Sequence, residues 1–313
     1  MKRVLGLVSG FDNPLIIKDG VSRMRSWRAP LGITLYLGLL GAFGYAIFTI
    51  QVLTAQYNSS ASAAIGGEVF AAMAFFQLAL ISLFAPALAA GSISGERERQ
   101  TFDVLLVSRV SAFGIVWGKL IASLAYLLLI ILTALPLFAA VFLFGGIDFE
   151  QFVLTQVITI ATALSIGAVS VFFSALFKRS LPSTVTSYAS AFAMVIGSAV
   201  AGLMLSYVAS YRSGATGSSI EGHPVLFGNP LFALYIVLGS PSGAPVHVGR
   251  LLQLLVLSDG PAANWGPTIE PWQFSVFSEL AVTALAILGA VLLVRGRRAL
   301  PLRRRPLVVE AAG

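Results

Sequence analysis

GSISGERERQTFDVLLVSR, from Gly91 to Arg109, sits between two long apolar runs. Charges follow one another at Glu96, Arg97, Glu98 and Arg99, and then Phe102, Leu105 and Leu106 fall at i, i+3 and i+4. Those three positions share one helix face. Glu96 and Glu98 stand in the first turn, where they suit the positive end of the helix dipole, and Arg109 closes the far end. The reading is a short amphipathic helix over 95–109, with Ser111 capping the next helix. So short a helix is marginal in water unless its apolar side is covered. The cover is either the membrane surface or a protein beside it.

Outward from this stretch the chain is oily. Of 313 residues 57% are hydrophobic and 11% are charged, against about 25% charged in a soluble domain. A helix needs roughly 20 apolar residues to cross a bilayer. Six stretches qualify, over about 31–53, 69–90, 115–144, 152–177, 185–208 and 274–294. The fold class is an all-α polytopic membrane protein. Pro136 predicts a kink in the third span.

Lysine and arginine set the orientation. Eighteen of the twenty fall in the N-terminal segment, the loops after spans two and four, or the C-terminal tail; only Arg212 and Arg250 fall on the other side. Both termini and the 91–109 loop are therefore expected in the cytoplasm, and the chain in the plasma (inner) membrane. Trp27 and Trp117 at inner boundaries, with Tyr207, Tyr211 and Trp272 at outer ones, fit an interfacial aromatic belt. The apolar run after Met1 is only Val4–Val8, which predicts no cleavable signal peptide.

Residues 11–30 alternate apolar side chains with Lys18, Arg23, Arg25 and Arg28 and include Trp27. This predicts an amphipathic elbow helix on the inner leaflet; the alternative is a basic flank that only sets topology. Residues 212–273 form a long external segment. Within it, the apolar part of VLFGNPLFALYIVLGSP is too short to span and is broken at Asn229-Pro230, which favours re-entrant or interfacial helices. VGRLLQLLVL is a second short amphipathic piece, and an extra transmembrane hairpin over 225–257 is the alternative.

Chemistry-bearing residues are few. There are no cysteines and two histidines, His223 and His247, so no metal site is expected. Asp148 and Glu150 follow span three and could act as a carboxylate pair or simply be two solvated acids ending a helix. Glu279 lies inside the sixth span; intramembrane acids are functional candidates, and the alternative is snorkelling to the headgroups. Small residues recur four apart at Ala85/Ala89, Ala87/Gly91, Gly197/Ala201 and Ser198/Gly202, a spacing that permits close helix approach.

Gly-Glu-Arg-Glu after span two, the apolar TFDVLLVS helix and GIVWGKLIA leading into span three resemble the type-2 ABC exporter permease family. The family's common form has glycine where Gln100 stands and Thr-Pro where Ser108-Arg109 stand. NPLIIKDGVSRMRSWRA is similar to its N-terminal elbow, and GNPLFAL to its external re-entrant segment. The resemblance implies one permease domain over 1–313 that lines a translocation path, with no ATP-binding domain. It implies that a separate ABC ATPase binds ATP and Mg and docks on the 95–109 coupling helix, through Glu96, Arg97, Glu98, Arg99, Phe102, Leu105, Leu106 and Arg109. A second permease chain, identical or a sibling, completes the transporter, in contact with membrane lipid and no nucleic acid. No Gly-x-x-x-x-Gly-Lys-[Ser/Thr] phosphate loop occurs in the sequence, and no cofactor is expected in this chain.

Two other classes stay open on the residues alone. A membrane enzyme acting on a lipid-linked substrate would need Asp148 and Glu150. An ATPase-independent carrier would need intramembrane charge, for which Glu279 is available. Neither explains the charged amphipathic stretch.

Overall fold

The computed structural model describes residues 27–55, 65–102, 111–212, 224–239, 246–247 and 268–298. Helix α1 spans Arg28–Ala55, α2 Ile65–Ala89, α3 Ser94–Glu98, α4 Ala112–Phe142 and α5 Phe149–Leu176. Then α6 covers Ser180–Phe192, passes through a π turn at Ala193–Gly197 and continues as α7, Ser198–Arg212. Short helices α8, Pro224–Phe227, and α9, Pro230–Gly239, precede α10, Pro271–Arg298. Among the described residues six helical runs are long and apolar enough to cross a membrane, and they match the six expected spans. The chain is an all-α polytopic membrane protein.

Two of the long helices start at a side-chain cap that the sequence supplies. Ser111 Oγ accepts from the Gly114 N–H at 3.0 Å at the head of α4. Asp148 and Gln151 form a capping box at the head of α5. Helix α4 continues through Pro136, where a kink was expected. Alternation of six spanning helices brings the starts of α1, α4 and α6 and the ends of α2, α5 and α10 to one end of the bundle, here the basic end.

Helix α5 is the most enclosed of the six, followed by α2. It packs on α10, α2, α6 and α4. The apolar effect cannot drive helices together in lipid, so close contact and polar side chains must. Along α5 the buried positions include Thr155, Thr159, Thr162, Ser165, Ser170 and Ser174, and a Cβ on Gly289 of α10 would sit 2.8 Å from the Phe172 ring. Large apolar side chains such as Leu35, Leu39, Leu285 and Leu292 point outward, as a lipid-facing surface requires.

Three features were not foreseen. The fifth span carries the π turn. Two residues on each side, Val246↔Ile269 and His247↔Thr268, form a small antiparallel ladder ahead of α10. The stretch read as one helix over 95–109 is broken after Glu98; Phe102 is helical again, and 103–109 lie outside the described residues. Of the segment 212–273, α9 is 10 residues long, about 15 Å at 1.5 Å per residue, half a hydrocarbon core. The second amphipathic piece, 248–257, lies outside the described residues.

Candidate functional site

The turn after α2 is fastened to three helices at the basic end. The Ser174 hydroxyl oxygen accepts from the backbone N–H groups of Ile93 and Ser94, each at 2.9 Å. Ser183 Oγ donates to the Ala90 carbonyl at 2.7 Å. These bonds seat the turn on the end of α5 and the start of α6. Ile93 is fully buried with Ala89, Ile115 and Val116.

Each charge from Glu96 to Glu98 then finds a partner on a different element. Glu96 pairs with Lys119 of α4, whose side chain is 6% exposed. Arg97 Nη1 donates to the Phe177 carbonyl at the end of α5, at 2.8 Å, and its guanidinium lies 4.8 Å from the Phe102 ring centre. Glu98 accepts from the Ser180 N–H at 2.8 Å and from its hydroxyl at 2.7 Å. That places a carboxylate on the free amides at the head of α6, the favourable end of its dipole. Arg99 is exposed.

The early stop of α3 has a local cause. Thr101 N–H reaches the Glu96 carbonyl at 3.0 Å and Gln100 N–H the Arg97 carbonyl at 3.1 Å, the bonding of a Schellman cap. Gln100 holds the left-handed position, at φ 58°. Phe102 then turns inward, 5% exposed, into the buried cluster that also holds Ile93, Ala112 and Ile115. It was expected to face a partner; its ring instead packs in the chain's own core. Leu105, Leu106 and Arg109 lie outside the described residues, as do Lys18, Arg23 and Arg25. Trp27 is 80% exposed, and Arg28 opens α1.

Asp148 and Glu150 are both exposed at the head of α5. The Asp148 carboxylate accepts from the Gln151 backbone N–H in the capping box, which gives it a structural task. Glu279 is 4% exposed and does not snorkel. Thr162 Oγ1 of α5 donates to its Oε1 at 2.7 Å.

Of the small-residue pairs, Ala85/Ala89 are buried, whereas Ala87/Gly91 are exposed. Gly202 is filled closely: a Cβ there would lie 2.7 Å from Leu226 Cα.

Sequence reading missed Ser174, Ser180, Ser183, Lys119 and Asn229. Asn229 is fully buried and clamps two segments. Its amide donates to the Val195 carbonyl and to Ser198 Oγ, both at 2.7 Å. Its Oδ1 accepts from the Leu231 N–H at 2.8 Å and the Phe232 N–H at 3.2 Å. An asparagine before proline, ahead of an apolar run, is a helix-start signal; its second grip, on the π turn, carries none.

The model of the ABC-2 family transporter proteins matches residues 46–293. No curated protein matches the chain.

Proposed function

Because the chain belongs to the ABC-2 family of transporter proteins, we propose that it is the permease subunit of an ATP-driven exporter, coupled at its basic end to a separate ABC ATPase. Members of this family are membrane subunits that normally work with such an ATPase. In this reading the basic end faces the cytoplasm, in the plasma (inner) membrane, as the lysine and arginine bias requires. Two permease chains, identical or siblings, meet two ATPases, and ATP and Mg bind in the ATPases. The α8–α9 pair is a re-entrant element on the outer side, and residues 11–30 form the elbow on the inner leaflet.

The observation that supports this reading most is the fastening of the 91–102 turn. A docking segment must transmit force, and a loosely tethered loop would dissipate it. Here Glu96, Arg97 and Glu98 tie the turn to the ends of α4, α5 and α6. A push on the turn therefore moves three helix ends together. Since Phe102 is packed inside the chain, the ATPase contact falls to Leu105, Leu106, Arg109 and the exposed Arg99. The clasp residues act as positioning groups behind that contact.

The test is capture of the ATPase by the full-length chain in lipid. Burying a large apolar side chain contributes ~1.5–3 kcal/mol, and an aspartate in an apolar groove adds a desolvation penalty. Leu105→Asp with Leu106→Asp should lower ATPase affinity by at least a hundredfold while the chain still inserts. Asp148→Ala with Glu150→Ala should capture the ATPase as the wild type does. Normal capture by the leucine variant would overturn the docking assignment.

A further inference from the structure

Beside Glu279 lies a cavity of about 160 Å³, walled by α5, the π turn, the start of α7, the Gly228–Pro230 turn and α10. That is well above the ~10–15 Å³ that admits one water. Thr162, on its wall, stands at the midpoint of the 28-residue α5, so the cavity is set deep within the spanning region.

Its polar groups are short of protons. Thr162 Oγ1 has one hydrogen and two acceptors in range, the Ile158 carbonyl at 2.9 Å and Glu279 Oε1 at 2.7 Å. Ser278 Oγ likewise faces the Ser275 carbonyl at 2.8 Å and the Gly228 carbonyl at 3.3 Å. Ser198 Oγ donates to the Met194 carbonyl. Glu279 Oε2 is buried with no hydrogen-bond partner among the described residues. No lysine, arginine or histidine is among the described residues that line the cavity. Among the described residues the site therefore offers acceptors and one carboxylate, and each hydroxyl on its wall already has an acceptor for its one hydrogen.

The remaining wall is apolar, with Ile166, Val195 and Val282 among it. A group that suits both halves is a donor without acceptors, carried on a hydrocarbon chain. A primary ammonium has three N–H donors and no acceptor, and its charge answers the buried carboxylate, which is costly unpaired.

We propose that this cavity is a binding site for the primary ammonium group of an amphiphilic amine. Its role as a cargo site rests on the permease reading; the binding itself does not. The π turn and the Asn229 clamp shape the cavity, since the same Val195 and Ser198 that Asn229 grips form part of its wall.

The test is calorimetric titration of the full chain in zwitterionic lipid discs, with empty discs subtracted. Hexylamine is the probe, fully protonated at pH 7 given an amine pKa of about 10.4. Saturable binding of hexylamine is expected, with hexanol and hexyltrimethylammonium at least tenfold weaker, since one lacks charge and the other N–H groups. Glu279→Gln should weaken hexylamine at least tenfold. Val282→Phe, which fills the space and keeps the carboxylate, should do the same. The three-probe comparison on the wild type needs no variant, so a folding defect cannot mask the outcome. Equal binding of hexylamine and hexanol, unchanged affinity in a folded Glu279→Gln chain, or saturation by sodium or potassium chloride in place of the amine would overturn the proposal. No ATPase is present, so failure here leaves the docking reading to its own capture experiment.

Discussion

Gln100 shows how one residue decides where an element ends. A left-handed backbone costs a side-chain-bearing residue roughly 1–2 kcal/mol, and Gln100 adopts it at φ 58°. Glycine removes that penalty but gives back part of the gain as unfolded-state entropy. Gln100→Gly should therefore raise stability by up to about 1 kcal/mol, and Gln100→Val should lower it by a similar amount or more, read from thermal unfolding in lipid. The glycine common at this position in the resembling family was the one sequence signal for the turn. The periodicity of Phe102, Leu105 and Leu106 pointed instead to a continuous helix. The charges of the same stretch were legible as charges, but their partners were not. Glu98 meets Ser180 across 82 positions, and no local pattern carries such a pairing.

Among the elements, the spans were readable because a bilayer imposes length and apolarity on each one independently. Their packing was not, because contact between helices depends on which small residue meets which neighbour. Gly202 of α7 sits against the backbone of Leu226 in α8, a Cβ clearance of 2.7 Å. At Gly91, by contrast, a Cβ would meet nothing within 4 Å. Both lie in the recurring small-residue pattern, yet only one is sterically required. Gly202→Ala should cost about 1–3 kcal/mol through overpacking and loosen the α8–α9 pair, while Gly91→Ala should be near neutral. Unfolding midpoints of the two variants, measured side by side, check the contrast. The π turn at Ala193–Gly197 belongs to the same class of hidden feature. The carbonyl of Val195 within it is met by Asn229, so the turn leans on a residue in another segment.

At the scale of the whole molecule, the basic end and the opposite end are joined by helices that run the length of the bundle. The clasp holds the ends of α4, α5 and α6 to the turn after α2, and α7 carries that frame to Tyr211, 81% exposed at the far end. Sequence made the two ends distinguishable through charge; only the folded chain shows what ties one of them together. If the basic end takes up ATP-driven motion, the far end must respond, and this needs no knowledge of the cargo. The chain has no cysteines, so Tyr211→Cys introduces a single reporter. The decisive measurement is the rate at which an impermeant thiol reagent, added from outside, labels position 211 in cells or vesicles holding the assembled complex, with and without MgATP inside. Labelling from outside is expected at a rate that changes several-fold on ATP addition, with no change when Leu105→Asp and Leu106→Asp are also present. Labelling only from inside, or an equal ATP response in the leucine variant, would rule out coupling of the far end to an ATPase docked at the basic end.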